Sequence, residues 1–356
     1  MSTNKNKTTT TNTNTSPAVS SLLNSLSRTS EYLNPNSNSG KTETQGVKDN
    51  EEIKEDIETK IRDKLSTLKT SILTSRSTSP IPPQPPQPPP AYLGAHTFPP
   101  SPTPPSSLRS LCRSGGHASP TNGLCPTYLQ TNLVSLPDSH AFDFLLFCQR
   151  NPKCAPIVDV VEKGETNPRH VIKGHADLRT DLPKYNVYEN GILTQTDLLD
   201  ATEIWRDDLV SFLLGCSFTF EAALVEEGFS IRNVEEKKNV SMYRTNLKTR
   251  DAGVFKDINY VVSMRPFKAV DVVKVVEITR RYPNAHGAPI HVGSPSQIGI
   301  DDITQPDFGD YCEVKPDEVC VFWACGVTTA EAVKGAKIEF AVTHKPGCMF
   351  VTDIKM

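Results

Sequence analysis

Between Pro80 and Pro105 about every second residue is proline, including the run Pro82-Pro83-Gln84-Pro85-Pro86-Gln87-Pro88-Pro89-Pro90. Proline lacks a backbone donor and fixes φ, so such a stretch favours an extended polyproline II spacer and enters neither a helix interior nor a sheet. Any packed domain must therefore lie on one side of it. Residues 1–46 are rich in Thr, Asn and Ser and poor in apolar groups. They offer too little burial to offset the entropy of ordering, which predicts a disordered extension over 1–105. The globular region is expected to be 106–356. This uneven distribution explains an overall hydrophobic content of only 37%.

Two features interrupt the polar extension. Ile53, Ile57, Ile61, Leu65, Leu68 and Ile72 recur at spacings of three and four with charges between them. That pattern predicts an amphipathic helix over 49–73 with a narrow apolar stripe, suited to self-association or docking. The proline tract contains P-x-x-P matches that suit an SH3- or WW-type partner, although most such tracts are linkers. Ser39-Gly40-Lys41-Thr42 ends like a phosphate-binding loop, but Pro35 stands where its first glycine belongs and no strand precedes it. The first thirty residues carry Lys5, Lys7 and Arg28 and no acid. A cytoplasmic protein is expected, with the mitochondrial matrix as the alternative.

A net charge of −3 argues against nucleic acid or an anionic membrane surface as the main partner. No apolar run approaches the ~20 residues of a membrane span, so a soluble protein is expected. Nine cysteines without a C-x-x-C spacing point to reduced thiols, with neither a disulfide frame nor a structural zinc site.

Within 106–356, helices are expected at Leu108–Arg113, from Asp138 as cap through Cys148, over Ala269–Arg280 and from Thr328. Strands are expected at 157–161, 260–264, 319–324, 340–343 and 349–352, with a hairpin turning at Asn190-Gly191. Two apolar, helix-like segments, Asp207–Leu214 and Phe220–Glu227, flank Gly215-Cys216-Ser217-Phe218-Thr219. Ser217 or Thr219 would cap the second, and its first-turn N–H groups would favour an anion. The expected class is α/β in two lobes, a three-layer α/β lobe and a smaller two-layer α+β lobe.

Polar groups at strand ends mark candidate chemistry. Arg265 follows the 260–264 strand, and His286-Gly287-Ala288-Pro289-Ile290-His291 puts two histidines in one turn. Cys325-Gly326-Val327-Thr328 opens a helix as a second anion-binding N-terminus. His344 ends a strand, and Tyr243-Arg244 sets a phenol beside a guanidinium. Each has a plainer reading: a surface ion pair for Arg265, satisfied turn histidines, buried thiols for Cys216 and Cys325.

Longer stretches carry a resemblance. Pro126-Thr127-Tyr128-Leu129-Gln130-Thr131-Asn132-Leu133, Phe142-Asp143-Phe144-Leu145-Leu146-Phe147-Cys148-Gln149-Arg150-Asn151-Pro152-Lys153 and Asp177-Leu178-Arg179-Thr180-Asp181-Leu182-Pro183 are similar to the D-glutamate cyclase family. So are the stretches from Gly215 to Glu221, Met242 to Asn246, Ser263 to Pro266, His286 to His291, Phe322 to Thr328 and Thr343 to Gly347. The resemblance covers about residues 108–354. Thr127, Thr131, Lys345 and Cys348 depart from the family's usual pattern.

The resemblance implies a hydro-lyase that converts D-glutamate to 5-oxo-D-proline and water, with no cofactor and a small amino acid as its partner, as a possible homo-oligomer. Alternatives are a dehydratase of another small carboxylic acid, or a non-catalytic small-anion sensor with an N-terminal interaction tail. Lactam formation needs a base for the amine, an acid for the departing oxygen and donors for the oxyanion. Arg265, with Arg244 second, suits a carboxylate clamp. His286 or His291 suits the base. Ser217, with Cys216 beside it, and the Cys325–Thr328 helix start suit the anion, and Tyr243 or His344 the proton donor. A Cys216 thiolate is a poor nucleophile for an unactivated carboxylate.

Overall fold

The computed structural model describes residues 103–356. The expectations for the extension, the 49–73 helix and nearly all of the proline tract lie outside the described residues. The elements are, in order, α1 (Pro105–Arg113), β1 (Tyr128–Pro137), α2 (Asp138–Arg150), β2 (Ile157–Val161), β3 (Tyr185–Glu189) and β4 (Ile192–Leu198). They continue with β5 (Leu209–Gly215), α3 (Phe218–Glu226), α4 (Arg232–Glu235), β6 (Ser241–Lys248), β7 (Asn259–Lys268) and α5 (Val272–Thr279). The chain closes with β8 (His291–Val292), β9 (Glu318–Ala324), α6 (Val327–Gly335), β10 (Ala341–His344) and β11 (Phe350–Lys355).

The fold is mixed α/β with two sheets. One has seven strands, ordered β2-β5-β1-β10-β3-β4 with β11 also on β1; the other has four, ordered β6-β7-β9-β8. The antiparallel character expected of the hairpin region extends through the pairing of both sheets.

β1 is the hub of the larger sheet, and the sequence reading had no strand there. Gln130, Thr131, Asn132 and Ser135 break its apolar pattern, yet all four are buried. Each is satisfied internally, as burial of polar groups requires. Asn132 Nδ2 donates to the carbonyls of Leu214 and Gly215 at 3.0 and 2.9 Å, and Ser135 bonds Ser211 at 2.7 Å.

The 207–214 segment, expected to be helical, is instead the strand β5, lying between β2 and β1. Phe212 and Leu214 enter the core that holds α2, while Leu209 and Leu213 enter the core on the opposite face. A strand buried on both faces is a continuous apolar run, which periodicity cannot tell from a helix. Arg265 likewise does not follow a strand. It lies within β7, paired in register with Val321. Pro266 is tolerated beside it because β6 pairs only as far as Met264.

The helices that follow β5 and β9 change sheets. α3 packs Phe220 and Leu224 in one cluster with Val321, Trp323 and Phe267 of the smaller sheet. α6 packs Ala332 and Val333 with Val134 and Phe212 of the larger one. The two crossings match in detail. The Cys216 N–H donates to the Gln130 carbonyl and the Cys325 N–H to the Val261 carbonyl, both at 2.9 Å. Thr219 Oγ1 accepts the Gln130 N–H at 3.1 Å, and Thr328 Oγ1 accepts the Val261 N–H at 2.9 Å.

Candidate active site

The two crossings differ in charge. The first carries Ser217 and Glu221 where the second carries Gly326 and Ala330. Arg265 reaches the first from β7 and is only 2% exposed. Its Nε donates to Glu221 Oε1 at 3.0 Å, and Nη2 donates to the same oxygen and to Ser217 Oγ at 3.1 Å. Nη1 donates to Ser263 Oγ at 3.4 Å. The guanidinium carbon lies 5.3 Å from the Phe220 ring centre and 5.6 Å from that of Trp323, so aromatic faces supply the rest of its surroundings.

Glu221 spends one oxygen on Arg265. Its Oε2 is buried with no hydrogen-bond partner among the described residues. Desolvation raises its pKa above the ordinary carboxyl value, with Arg265 acting in the opposite direction. The result is a carboxyl group with one free oxygen that keeps its proton to higher pH than usual. Sequence reasoning passed over Glu221. The usable signal was a lone acid in the first turn of an otherwise apolar helix, four residues after Ser217, since a buried charge there needs a partner.

Neither Ser217 nor Thr219 caps α3. Ser217 Oγ is held by Arg265 and Thr219 Oγ1 by Gln130, and α3 and α6 both begin without a side-chain cap bond. Cys216 and Cys325 lie in one apolar cluster with Val240, Val261, Val327 and Met349. Burial raises the Cys216 thiol far above its usual range and pushes Cys325 up to about 11. Both are thiols, not thiolates, at neutral pH.

The remaining sequence candidates are dispersed. His286 is buried in a turn seated against Gly215, with its Nδ1 on the Lys153 carbonyl at 2.8 Å. That bond places the proton on Nδ1 and leaves Nε2 as the acceptor. His291 is half-buried and bonds the Ser294 carbonyl through Nε2 at 2.8 Å. Tyr243 donates to the Ile303 carbonyl at 2.6 Å within the cluster of Val262 and Met264. Arg244 is an outer residue, bonded to Glu331 and Asp307 and stacked 4.6 Å from the Phe308 ring centre. His344 is buried against the Leu133 backbone, and its Nε2 has no partner among the described residues. The structure thus brings Cys216, Ser217 and Arg265 to the first crossing and Cys325 and Thr328 to the second. Tyr243, Arg244, His291 and His344 stand apart.

Burial pushes both His286 and His344 down to about 4 from an ordinary 6.5. An unfolded chain therefore binds protons below pH 6.5 that the fold refuses until about pH 4. Each histidine withdraws about 3 kcal/mol of stability across that window. Glu221, raised in the fold, acts with the opposite sign. Urea unfolding at pH 7, 5.5 and 4.5 should show falling stability on acidification, with a smaller fall in His344→Gln. An equal fall in both proteins would contradict the assignment.

Antiparallel sheets that exchange helices around a buried acid and guanidinium define a mixed α/β scaffold, and comparison with known proteins gives its family. The D-glutamate cyclase family model matches residues 210–353. A protein of Thermoanaerobacter pseudethanolicus named "Putative hydro-lyase" is 52% identical over 251 residues, covering 70% of this chain and 94% of its own length. One of the same name from Geobacillus kaustophilus is 50% identical over 257 residues, covering 72% and 96%. A nitrogen repressor-like protein from Methanococcus jannaschii aligns over 68% of this chain with a TM-score of 0.28 and 8% identity, a likeness too slight to bear on the fold. The chain belongs to the D-glutamate cyclase family of hydro-lyases.

Proposed function

We propose that the chain cyclises D-glutamate to 5-oxo-D-proline with release of water. The observation that carries this reading is Glu221. Loss of water from a carboxyl carbon needs a proton donor for the departing oxygen, and the donor must still hold its proton near neutral pH. A buried carboxyl with an unpartnered Oε2, whose protonated form burial favours against the pull of Arg265, is suited to that part. Arg265 is spent on Glu221, Ser217 and Ser263, so it positions the acid instead of clamping the substrate. Ser217 Oγ accepts from Arg265 and keeps its own hydrogen for a second acceptor. That hydrogen suits the oxyanion, since the Thr219 and Phe220 N–H groups at the start of α3 are taken by the Cys216 and Ser217 carbonyls.

Magnitude argues against His286 as the base. An α-ammonium titrates near 8 at a chain terminus and higher in a free amino acid, so at least roughly four units above an imidazole at about 4. Proton transfer between them is uphill by at least about 5 kcal/mol before any chemistry. The amine and carboxyl groups are already tethered in one molecule, so a folded binding pose supplies much of the remaining acceleration.

Incubating the full chain with each enantiomer of glutamate tests the reading. 5-Oxoproline is expected from the D form alone, and product from neither enantiomer would remove the proposal.

A further inference from the structure

We propose that the cleft bounded by Lys184, Lys345 and Asp310 binds the α-amino-acid head of a small zwitterion, its carboxylate on the two lysines and its ammonium on Asp310. The cleft holds about 410 Å³, within the roughly 300–1,000 Å³ of small-ligand sites.

The two lysines are set side by side at the ends of strands distant in sequence, Lys184 just before β3 and Lys345 just after β10. The Lys345 N–H donates to the Lys184 carbonyl at 2.9 Å. Both ammonium groups share one carboxylate, Asp197, at 2.7 Å from Lys184 and at 2.5 and 2.6 Å from Lys345. Two positive charges against one negative leave one uncompensated. Each ammonium has three donors and spends one or two of them on Asp197. An incoming carboxylate therefore finds charge and free N–H groups without displacing Asp197.

Asp310 supplies the opposite charge. Its Oδ2 accepts the Asn239 N–H at 2.8 Å, which fixes the group and leaves Oδ1 open. Asn186 accepts the Thr196 hydroxyl through Oδ1 at 2.8 Å and adds polar surface to the lining. Phe308, Val327, Ala330 and Pro346 complete the lining with apolar surface suited to methylene groups. A doubly charged anion such as phosphate would meet Asp310 and be repelled, whereas a zwitterion satisfies both poles. The cleft also adjoins the crossings, because Val327 and Phe308 pack in the cluster that contains Cys216 and Cys325.

The assignment rests on the proposed turnover of an amino acid, and it moves the carboxylate clamp from Arg265 to the lysines. The test uses the full chain, as wild type, Lys184→Met/Lys345→Met and Asp310→Asn. Asp197 is partly exposed at 38%, so water can solvate it once the lysines are gone and the fold should persist. Steady-state kinetics on D-glutamate should show KM raised about 10- to 100-fold in the double variant, the loss of a charged hydrogen bond, with kcat nearly unchanged. Asp310→Asn should raise KM for D-glutamate yet leave inhibition by glutarate, which has no ammonium, as it was. An unchanged KM in a folded double variant overturns the cleft assignment while the reaction stands. If wild type turns over no glutamate, calorimetry decides. D-Glutamate binding that the double variant loses supports the cleft alone, and no binding to wild type overturns it.

Discussion

Glu221→Gln is expected to lower turnover of D-glutamate by about 10²- to 10⁴-fold, the usual worth of a positioned acid. KM should change little, because the contact with the departing oxygen is made in the transition state. Glutamine preserves shape and an oxygen for Arg265, but it cannot ionise to compensate a buried guanidinium as the carboxyl does between proton transfers. Breaking such a pair costs about 3–5 kcal/mol. Stability should therefore fall together with activity, and the quantity to compare is turnover per folded molecule, with folding followed by circular dichroism under the assay conditions. Glu221→Asp separates the two effects. It retains an ionisable carboxyl for Arg265 while drawing it back by one methylene, so stability should recover further than turnover. Wild-type turnover per folded Glu221→Gln molecule would take the acid out of the mechanism.

Gly215→Ala should have the largest effect on stability. Gly215 closes β5, and the turn that leads to His286 rests against it. An added Cβ would stand 1.5 Å from the Asn284 carbonyl oxygen and 2.7 Å from its carbon. Both are backbone atoms, so no side-chain rotation relieves the overlap. Either the end of β5 or the 283–286 turn must move, and His286 and the start of α3 move with it. A cost of about 4 kcal/mol or more is expected, at the far end of what single substitutions do. In thermal unfolding that is a Tm lowered by about 10 °C. Gly174→Ala is the control. Nothing lies within 4 Å of its added Cβ, so it carries only the strain of a φ of +94°. Equal losses at the two positions would show that close approach is not what Gly215 provides.

Local signals in the sequence were read well where they were strong. Asn190 and Gly191 take φ values of 51° and 76° at the hairpin, as an Asn-Gly turn between apolar pairs requires. The strand over 157–161 has the expected bounds. Errors arose where tertiary context overrides local pattern. β5 looked helical because both of its faces are buried, and β1 went unread because its buried amides and hydroxyls are satisfied only in the assembled sheet. Asp138 was expected to cap α2, but it begins the helix and pairs with Lys163.

The site was half legible. Ser217 and Arg265 were chosen for their chemistry and do meet at 3.1 Å. Their partner Glu221 was hidden by an apolar context that reads as core. His286 looked suited to proton transfer because free imidazole titrates near neutrality, and only its burial reveals the shift to about 4. The cleft left no local signal. Lys184, Asp310 and Lys345 come from three separate stretches and meet only through the pairing of β3 with β10 and the loop that crosses β6.

Mass spectrometry of the full chain's reaction with D-glutamate tests the proposed loss of water most directly. The expected product is lighter than D-glutamate by one water and forms without release of ammonia and without ATP. Ammonia among the products, or D-glutamate recovered unchanged, would contradict it.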